Sequence, residues 1–397
     1  MTDILFLAHR IPYPPNKGDK IRSFNILRYL SARYRVHLGA FIDDDDDWQH
    51  VPAIEAMCAS VKLVSLHKYR ALLRSGLGFL SGEPLSMPYY RDAGMRRWVR
   101  ELFRREQVAG LFVFSSTMAQ YVPPDVCGPA VLDLCDVDSD KWRQYAQRHA
   151  FPRNWVYRRE ARLLAAAERN LAQRFDAVVV VSQTEADLLM RVAPASASKI
   201  TVMRNGVDTE YFDPQRNYPS VFRPDELPIV FTGAMDYWAN IDAVQWFAKE
   251  VLPQVLLRHP GGRFYIVGSR PDDAVRALAA LPGVAVTGTV ADVRPYLSGA
   301  HVVVAPLRIA RGIQNKVLEA LAMARPVVAT PAALDGLDDR DYSGAVAAAS
   351  AAEFAAAVAC ALDNTAQPMA GAGRRYVCGR YGWEASLGVL DGLLACK

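Results

Sequence analysis

What most constrains this chain is a rhythm that runs through it twice. A short apolar run gives way to a loop and then to a stretch with helical spacing. In the first half the apolar runs fall at 4–8, 36–42, 61–66, 109–114, 130–136 and 177–182. Between the first two, Ile21, Phe24, Leu27 and Leu30 recur at three-residue steps within 19–33, the spacing of one helix face. Strands alternating with helices imply βαβ units and a parallel sheet. The rhythm restarts at 228–232 and continues at 263–267, 284–287, 301–305 and 327–330, with helices expected at 242–259, 271–281, 292–298 and 315–323. Between the halves, 213–226 holds three prolines and little periodicity, and reads as a linker. The expectation is α/β, with two doubly wound domains in series and a cleft between them. The first covers 1–212 and the second 227–375. The tail 376–397, with an amphipathic helix at 383–394, is expected to return to the first domain.

Bulk properties agree with such a chain and exclude others. At 397 residues, 51% of them apolar, two cores are within reach. A net charge of +4 is too mild for a nucleic-acid binder. No apolar run is long enough to span a bilayer, and the first ten residues turn polar too early for a secretory signal. The six cysteines contain no C-x-x-C pair, which argues against a zinc site or a disulfide framework and for reduced thiols in the cytoplasm. The acidic run 43–47 reads as a solvated loop.

One βαβ unit is chemically pointed. The run 302–307 is followed by a loop carrying Arg311 and Gly312, a helix from Asn315 or Lys316, and the strand 327–330. The first N–H groups of a helix lack intrahelical partners, and the helix dipole adds positive character at that end. Gly312 permits close backbone approach to a phosphate, Arg311 and Lys316 add charge, and Asn315 suits an N-cap. Glu319, near Asn315 on the helix surface, suits a ribose diol. The plain alternative is a well-capped buried helix with Glu319 and Arg311 in solvent.

Residues 312–330, from Gly312 through Lys316, Glu319 and Pro326 to Thr330, resemble the donor-binding signature of family-4 glycosyltransferases of GT-B fold. Three other segments agree in order: Asn205-Gly206-Val207-Asp208 with Phe212, the loop Gly233-Ala234-Met235-Asp236 with Asn240, and the first loop from Arg10 to Gly18 and Arg22. The last resembles a bacterial branch associated with exopolysaccharide and PEP-CTERM/exosortase systems. The resemblance implies two Rossmann-like domains and sugar transfer from a nucleotide-diphosphate donor, retaining and metal-independent, with no cofactor. It implies donor binding by Gly18, Gly233, Gly312, Ile313, Gln314, Asn315, Lys316 and Glu319. It departs from the family at Arg311, where a glutamate is usual, and in the Met235–Asn240 stretch, which lacks the usual lysine and arginine. Arg311 and Lys316 are therefore expected to neutralise the leaving diphosphate.

The run Leu132 to Trp142 is the rival signal. Asp136-Val137-Asp138 resembles the D-x-D metal site of GT-A transferases, whose paired carboxylates hold a divalent cation. The same branch of GT-B proteins carries D-V-D-S-x-K-W, which makes Asp136 a cleft residue and puts Asp138, Lys141 and Arg10 on the acceptor side. A nucleotide-sugar 2-epimerase and a non-catalytic sensor are further readings of one fold. The segment 67–105 holds nine Lys or Arg against three acidic residues, with Phe79, Leu80, Tyr89, Tyr90, Trp98 and Phe103 interleaved. That composition suits either an anionic membrane surface at the inner leaflet, where a saccharide or lipid-linked saccharide acceptor would lie, or an ordinary solvated helix face.

Overall fold

The computed structural model describes residues 2–395 apart from 16, 125, 311–312, 338–343 and 364–366. The chain divides into two compact units, Met1–Arg204 with Leu387–Lys397, and Asn205–Ser386.

The first unit is built on seven parallel strands: β1 (Asp3–Ala8), β2 (Arg35–Ile42), β3 (Ser60–Ser65), β4 (Val108–Phe114), β5 (Ala130–Cys135), β6 (Ala177–Val180) and β7 (Ile200–Val202). Their order is β3-β2-β1-β4-β5-β6-β7, so the winding reverses between β1 and β4. Helices on both faces bury the strands, which is why β1, β4 and β6 are apolar at nearly every position. Leu5, Leu7, Leu111, Val113, Leu132 and Val178 form one side of the core.

The second unit repeats the plan with six parallel strands: β8 (Leu227–Thr232), β9 (Gly262–Val267), β10 (Val284–Gly288), β11 (Val302–Ala305), β12 (Val327–Ala329) and β13 (Ala345–Ala347). Their order is β10-β9-β8-β11-β12-β13, with the reversal between β8 and β11. Phe231, Phe247, Phe264 and Phe354 fill its core; the Phe247 and Phe264 ring centroids are 4.4 Å apart. The expected α/β class and the doubly wound topology of each half are what the structure has.

Several expectations change. Residues 213–226 are not a linker: Tyr218 and Phe222 pack on the second core, the Phe222 ring lies 4.7 Å from Tyr265, and Tyr265 donates to Glu226 at 2.5 Å. The boundary falls instead at Arg204/Asn205. The 383–394 helix is two short ones, Trp383–Leu387 and Val389–Leu393. The Gly18–Ser31 helix buries Lys20 and Arg22, while Ile21 and Phe24 are only half-buried. Lys20 Nζ pairs with Asp47 at 2.6 Å, and Arg22 Nε with Asp133 at 2.7 Å. The acidic run is accordingly not all solvated: Asp47 is buried in that pair, and Asp43 holds Arg10 Nε at 2.9 Å.

Candidate functional site

In an open parallel sheet, ligands bind outside the carboxyl ends of the strands where the winding reverses. In the second unit that point is flanked by Thr232, at the end of β8, and Ala305, at the end of β11. The loop after β8 is pinned by its own backbone. Gly233 N–H donates to Val267 at 3.0 Å, and Met235 N–H to Ser269 at 2.8 Å. The Gly233 carbonyl passes so close to Gly268 that a Cβ there would lie 1.6 Å from it, so position 268 requires glycine.

Two side chains tie this loop to the helix Asn315–Ala322. Asn240, buried at 7% exposure, donates from Nδ2 to the Ala234 carbonyl at 2.8 Å. Its Oδ1 accepts from Lys316 Nζ at 2.7 Å. The same ammonium sits 4.0 Å from the Phe231 ring centroid. A Cβ on Gly233 would stand 2.8 Å from Asn240 Nδ2 and 3.1 Å from Lys316 Nζ, so glycine leaves the room this bridge occupies.

The helix start differs from expectation. Asn315 is the first helical residue, and Gln314, in extended backbone, takes the cap position with no side-chain capping bond. Val317 N–H turns back to the Gln314 carbonyl at 2.9 Å. Among the described residues, buried Asn315 Oδ1 and Thr232 Oγ1 find no hydrogen-bond partner. An unpaired buried polar atom costs about 1–3 kcal/mol, and two beside one switch point suit a site awaiting a polar ligand or water. Ile313 is buried. Arg311 and Gly312 lie outside the described residues.

Lys316 and Glu319 are both half-buried. Burial pushes Lys316 down to about 7, with the Glu319 carboxylate opposing. Burial pushes Glu319 up to about 7, with Lys316 opposing. Each therefore changes charge near neutrality. Beside Glu319 stand residues that sequence reasoning did not single out for this site. Tyr211 feels the charge of Glu319, Asp292 and Arg294, and Arg294 lies 3.9 Å over the Tyr211 ring while pairing with Asp292 at 2.7 Å. Arg270, on the loop after β9, approaches Asp236 at 3.9 Å. It places a cation beside the β8 loop, whose own sequence has no lysine or arginine. Only the sheet order, which sets β9 next to β8, reveals this.

The first unit's switch point is furnished differently. Arg10 Nη1 pairs with Asp19 at 2.9 Å, and His9 Nε2 lies 3.4 Å from the same carboxylate. Burial works against an ionised Asp19, but the hydrogen bonds and charges of His9 and Arg10 hold it well below the usual carboxylate range. The His9 ring stacks on Phe114 at 5.6 Å and meets Tyr90 edge-on at 5.8 Å. Gly18 opens the Gly18–Ser31 helix with open space where a Cβ would be.

After β5, the Asp136–Ser139 turn is held from below. Val137 N–H donates to Glu185 at 2.7 Å, and Ser139 donates to Glu168 from its N–H at 3.0 Å and its hydroxyl at 2.5 Å. Burial raises Glu168 to about 7 against those two hydrogen bonds. Burial also raises Asp138, while Lys141 and, more weakly, His9 pull it back. Asp136, Asp138, Lys141 and His9 are thus brought into one electrostatic neighbourhood. Glu168 and Glu185 are supporting residues whose role no local spacing could show. The GT-A reading of Asp136 and Asp138 is overturned by the fold: the chain has the GT-B architecture of two doubly wound parallel sheets. Among the described residues, no group of three His, Cys, Asp or Glu is arranged to hold a metal ion.

Residues 226–364 match the family model described as Glycosyl transferases group 1, and residues 137–211 match Glycosyltransferase Family 4. No curated protein matches the chain. Among solved structures, sucrose-phosphate synthase from Thermosynechococcus elongatus is similar over 99% of this chain and 98% of its own, at 18% identity and a TM-score of 0.72. Anabaena HepE in complex with UDP-glucose is similar over 99% of both chains, at 16% identity and a TM-score of 0.64. WaaG, a glycosyltransferase involved in lipopolysaccharide biosynthesis, is similar over 98% of this chain and 99% of its own, at 13% identity and a TM-score of 0.64. At these identities the likeness establishes the fold. The two family models, one largely in each unit, together with the GT-B fold, support a family-4 style glycosyltransferase.

Proposed function

We propose that this protein moves a sugar from a nucleoside-diphosphate sugar to a saccharide or lipid-linked saccharide acceptor, with retention of configuration and without a metal ion. The observation that carries the reading is the Lys316–Asn240 bridge over Gly233, set where β8 and β11 diverge and on the first turn of the helix Asn315–Ala322. In this reading the N–H groups around Gly312, Ile313, Gln314 and Asn315 hold the pyrophosphate. Lys316, with Arg311, neutralises the charge that develops as the diphosphate leaves. Glu319 accepts from the ribose hydroxyls, with Tyr211 beside it. That HepE has been obtained with UDP-glucose supports a nucleotide-sugar donor.

The reaction forms a bond between an acceptor oxygen and the anomeric carbon as the bond from that carbon to the phosphate oxygen breaks. The acceptor proton passes to the departing phosphate, so no separate base is required. Asp138, Lys141 and His9 orient the acceptor or the sugar, with Asp136 lining the same site and Arg10 fixed beside it by Asp19 and Asp43. Exopolysaccharide synthesis of the exosortase-associated kind is the pathway that the first-loop and D-V-D-S-x-K-W runs favour. A lipid-linked acceptor would bring the enzyme to the inner membrane as a peripheral protein.

A thermal-shift series with UDP-, GDP- and ADP-sugars tests the donor. A true donor at one hundred times its dissociation constant adds about 2.7 kcal/mol. Full donor affinity and full turnover in Lys316→Ala would overturn the site. Purified protein that binds a donor but neither hydrolyses nor transfers its sugar would leave a sensor instead.

A further inference from the structure

The helix Lys68–Ser81 is oriented the wrong way round for a surface helix. Such helices normally turn an apolar stripe to the core and a polar face to water. Here the inward face is small and polar. Ala71 is fully buried, and Gly78 lies where a Cβ would be 3.2 Å from Leu85. Ser75 donates to the Leu85 carbonyl at 2.7 Å, and Arg74 to the carbonyls of Arg91 and Tyr89 at 2.6 and 3.2 Å. The outward face carries Tyr69 at 86% exposure, Leu72 at 60%, Leu73 at 76% and Phe79 at 42%. Their spacing, i, i+3, i+4 and i+10, puts them on one stripe.

The stripe continues onto a second element. The Phe79 ring stacks on Trp155 at 6.3 Å and 4°. Trp155 belongs to the helix Arg153–Arg174 and is 56% exposed, and Phe151, just before that helix, is 81% exposed. By contrast Tyr89, Tyr90, Trp98 and Phe103, the other aromatics of the basic stretch 67–105, pack on the first core. The membrane-facing expectation for that stretch therefore narrows to its first helix and extends to 151–155. Neither 68–81 nor 151–159 contains an acidic residue, while together they hold Lys68, Arg70, Arg74, Arg153, Arg158 and Arg159. Lys68, Arg70, Arg153 and Arg158 are exposed.

Apolar side chains this exposed, set on one helix stripe and joined to a second helix through the Phe79–Trp155 stack, mark an interaction surface. Their partner must accept both hydrocarbon and a ring of positive charge. We propose that Tyr69, Leu72, Leu73, Phe79, Phe151 and Trp155 insert into the surface of an anionic lipid bilayer while Lys68, Arg70, Arg153 and Arg158 lie against its headgroups. The surface stands independently of the sugar-transfer reading, since it needs no donor and shares no residue with the donor site.

The test uses the full chain with phosphatidylcholine vesicles, made with and without phosphatidylglycerol, in a sedimentation assay. Wild-type protein is expected to bind the anionic vesicles and to be released by salt. The triple variant Tyr69→Ser/Leu72→Ser/Leu73→Ser should bind roughly tenfold more weakly, with unchanged melting temperature and UDP affinity. Lys68→Glu/Arg70→Glu should remove the salt-sensitive part of the binding. Should the triple variant melt early, Phe151→Ser/Trp155→Ser carries the same test. Undiminished vesicle binding by these variants overturns the proposal, and so does equal binding to neutral vesicles. A wild-type dimer that the triple variant dissolves, without vesicle binding, overturns it in favour of a second copy of the chain.

Discussion

The two sheets share one winding order, yet their switch points are opposites. The first unit's is closed by ion pairs made within the protein: Arg10 with Asp19 and Asp43, Arg22 with Asp133, and Lys20 with Asp47. The second unit's is left open. Lys316 is satisfied by a neutral amide, and Glu319 has no hydrogen-bond or ion-pair partner among the described residues. Burial moves both groups toward neutrality. The comparison sets buried charges whose built-in partners organise a loop against two half-buried groups whose charged forms burial disfavours, the kind of perturbation that marks a candidate site.

The difference can be broken from the closed side first. Arg22→Ala should cost the first unit about 3–5 kcal/mol, because Asp133, wholly buried, would lose its partner. The double variant Arg22→Met/Asp133→Leu should recover most of that loss. Urea unfolding of the three proteins checks this, and a small effect of Arg22→Ala alone would deny the pair its organising role. From the open side, Lys316→Met should leave stability intact or raised while weakening UDP binding by about 2–3 kcal/mol, read by titration calorimetry. An equal loss of stability would show that Lys316 is structural, like Arg22.

The pH dependence sharpens the same contrast. Glu319, pushed up, is ionised only above about 7, so any binding that uses its carboxylate is lost as pH falls through that value. Lys316, pushed down, is protonated only below about 7, so binding that uses its ammonium is lost as pH rises through it. UDP affinity should therefore peak near neutrality. The acid limb should vanish in Glu319→Gln and the alkaline limb in Lys316→Met, and a flat profile in the wild type would count against both roles. The smallest effect concerns how the helix Asn315–Ala322 ends. Ala324 sits at φ +50°, and Ala324 and Arg325 N–H groups donate to Leu321 and Ala320, both at 3.0 Å. This is a left-handed helix stop that favours glycine, so Ala324→Gly should stabilise the second unit by about 0.5–1 kcal/mol in thermal melts.

The expected strands all appear within two residues of their read positions, because strands buried on both faces read as nearly continuous apolar runs. Those that escaped notice, β7 and β13, are three-residue edge strands with too little length to show a period. The helix face read from Ile21 and Phe24 was misjudged for a different reason. Lys20 and Arg22 look like surface residues until their partners arrive, from 27 and 111 positions away. At the candidate site, Lys316 and Glu319 were legible because a helix start and its first turn are local. Tyr211, Arg270 and Arg294 were not, since they reach the site from separate loops.

The sequence by itself determined two doubly wound domains, the position of the anion-suited helix start and the residues on its first turn, all set by short-range periodicity and spacing. Tertiary structure alone decided which charges are paired within the protein and which are desolvated near neutrality. It also decided that the Lys68–Ser81 helix faces Tyr69, Leu72 and Leu73 outward. Desolvation and pairing depend on what the rest of the chain brings within a few ångströms, and no local pattern carries that information.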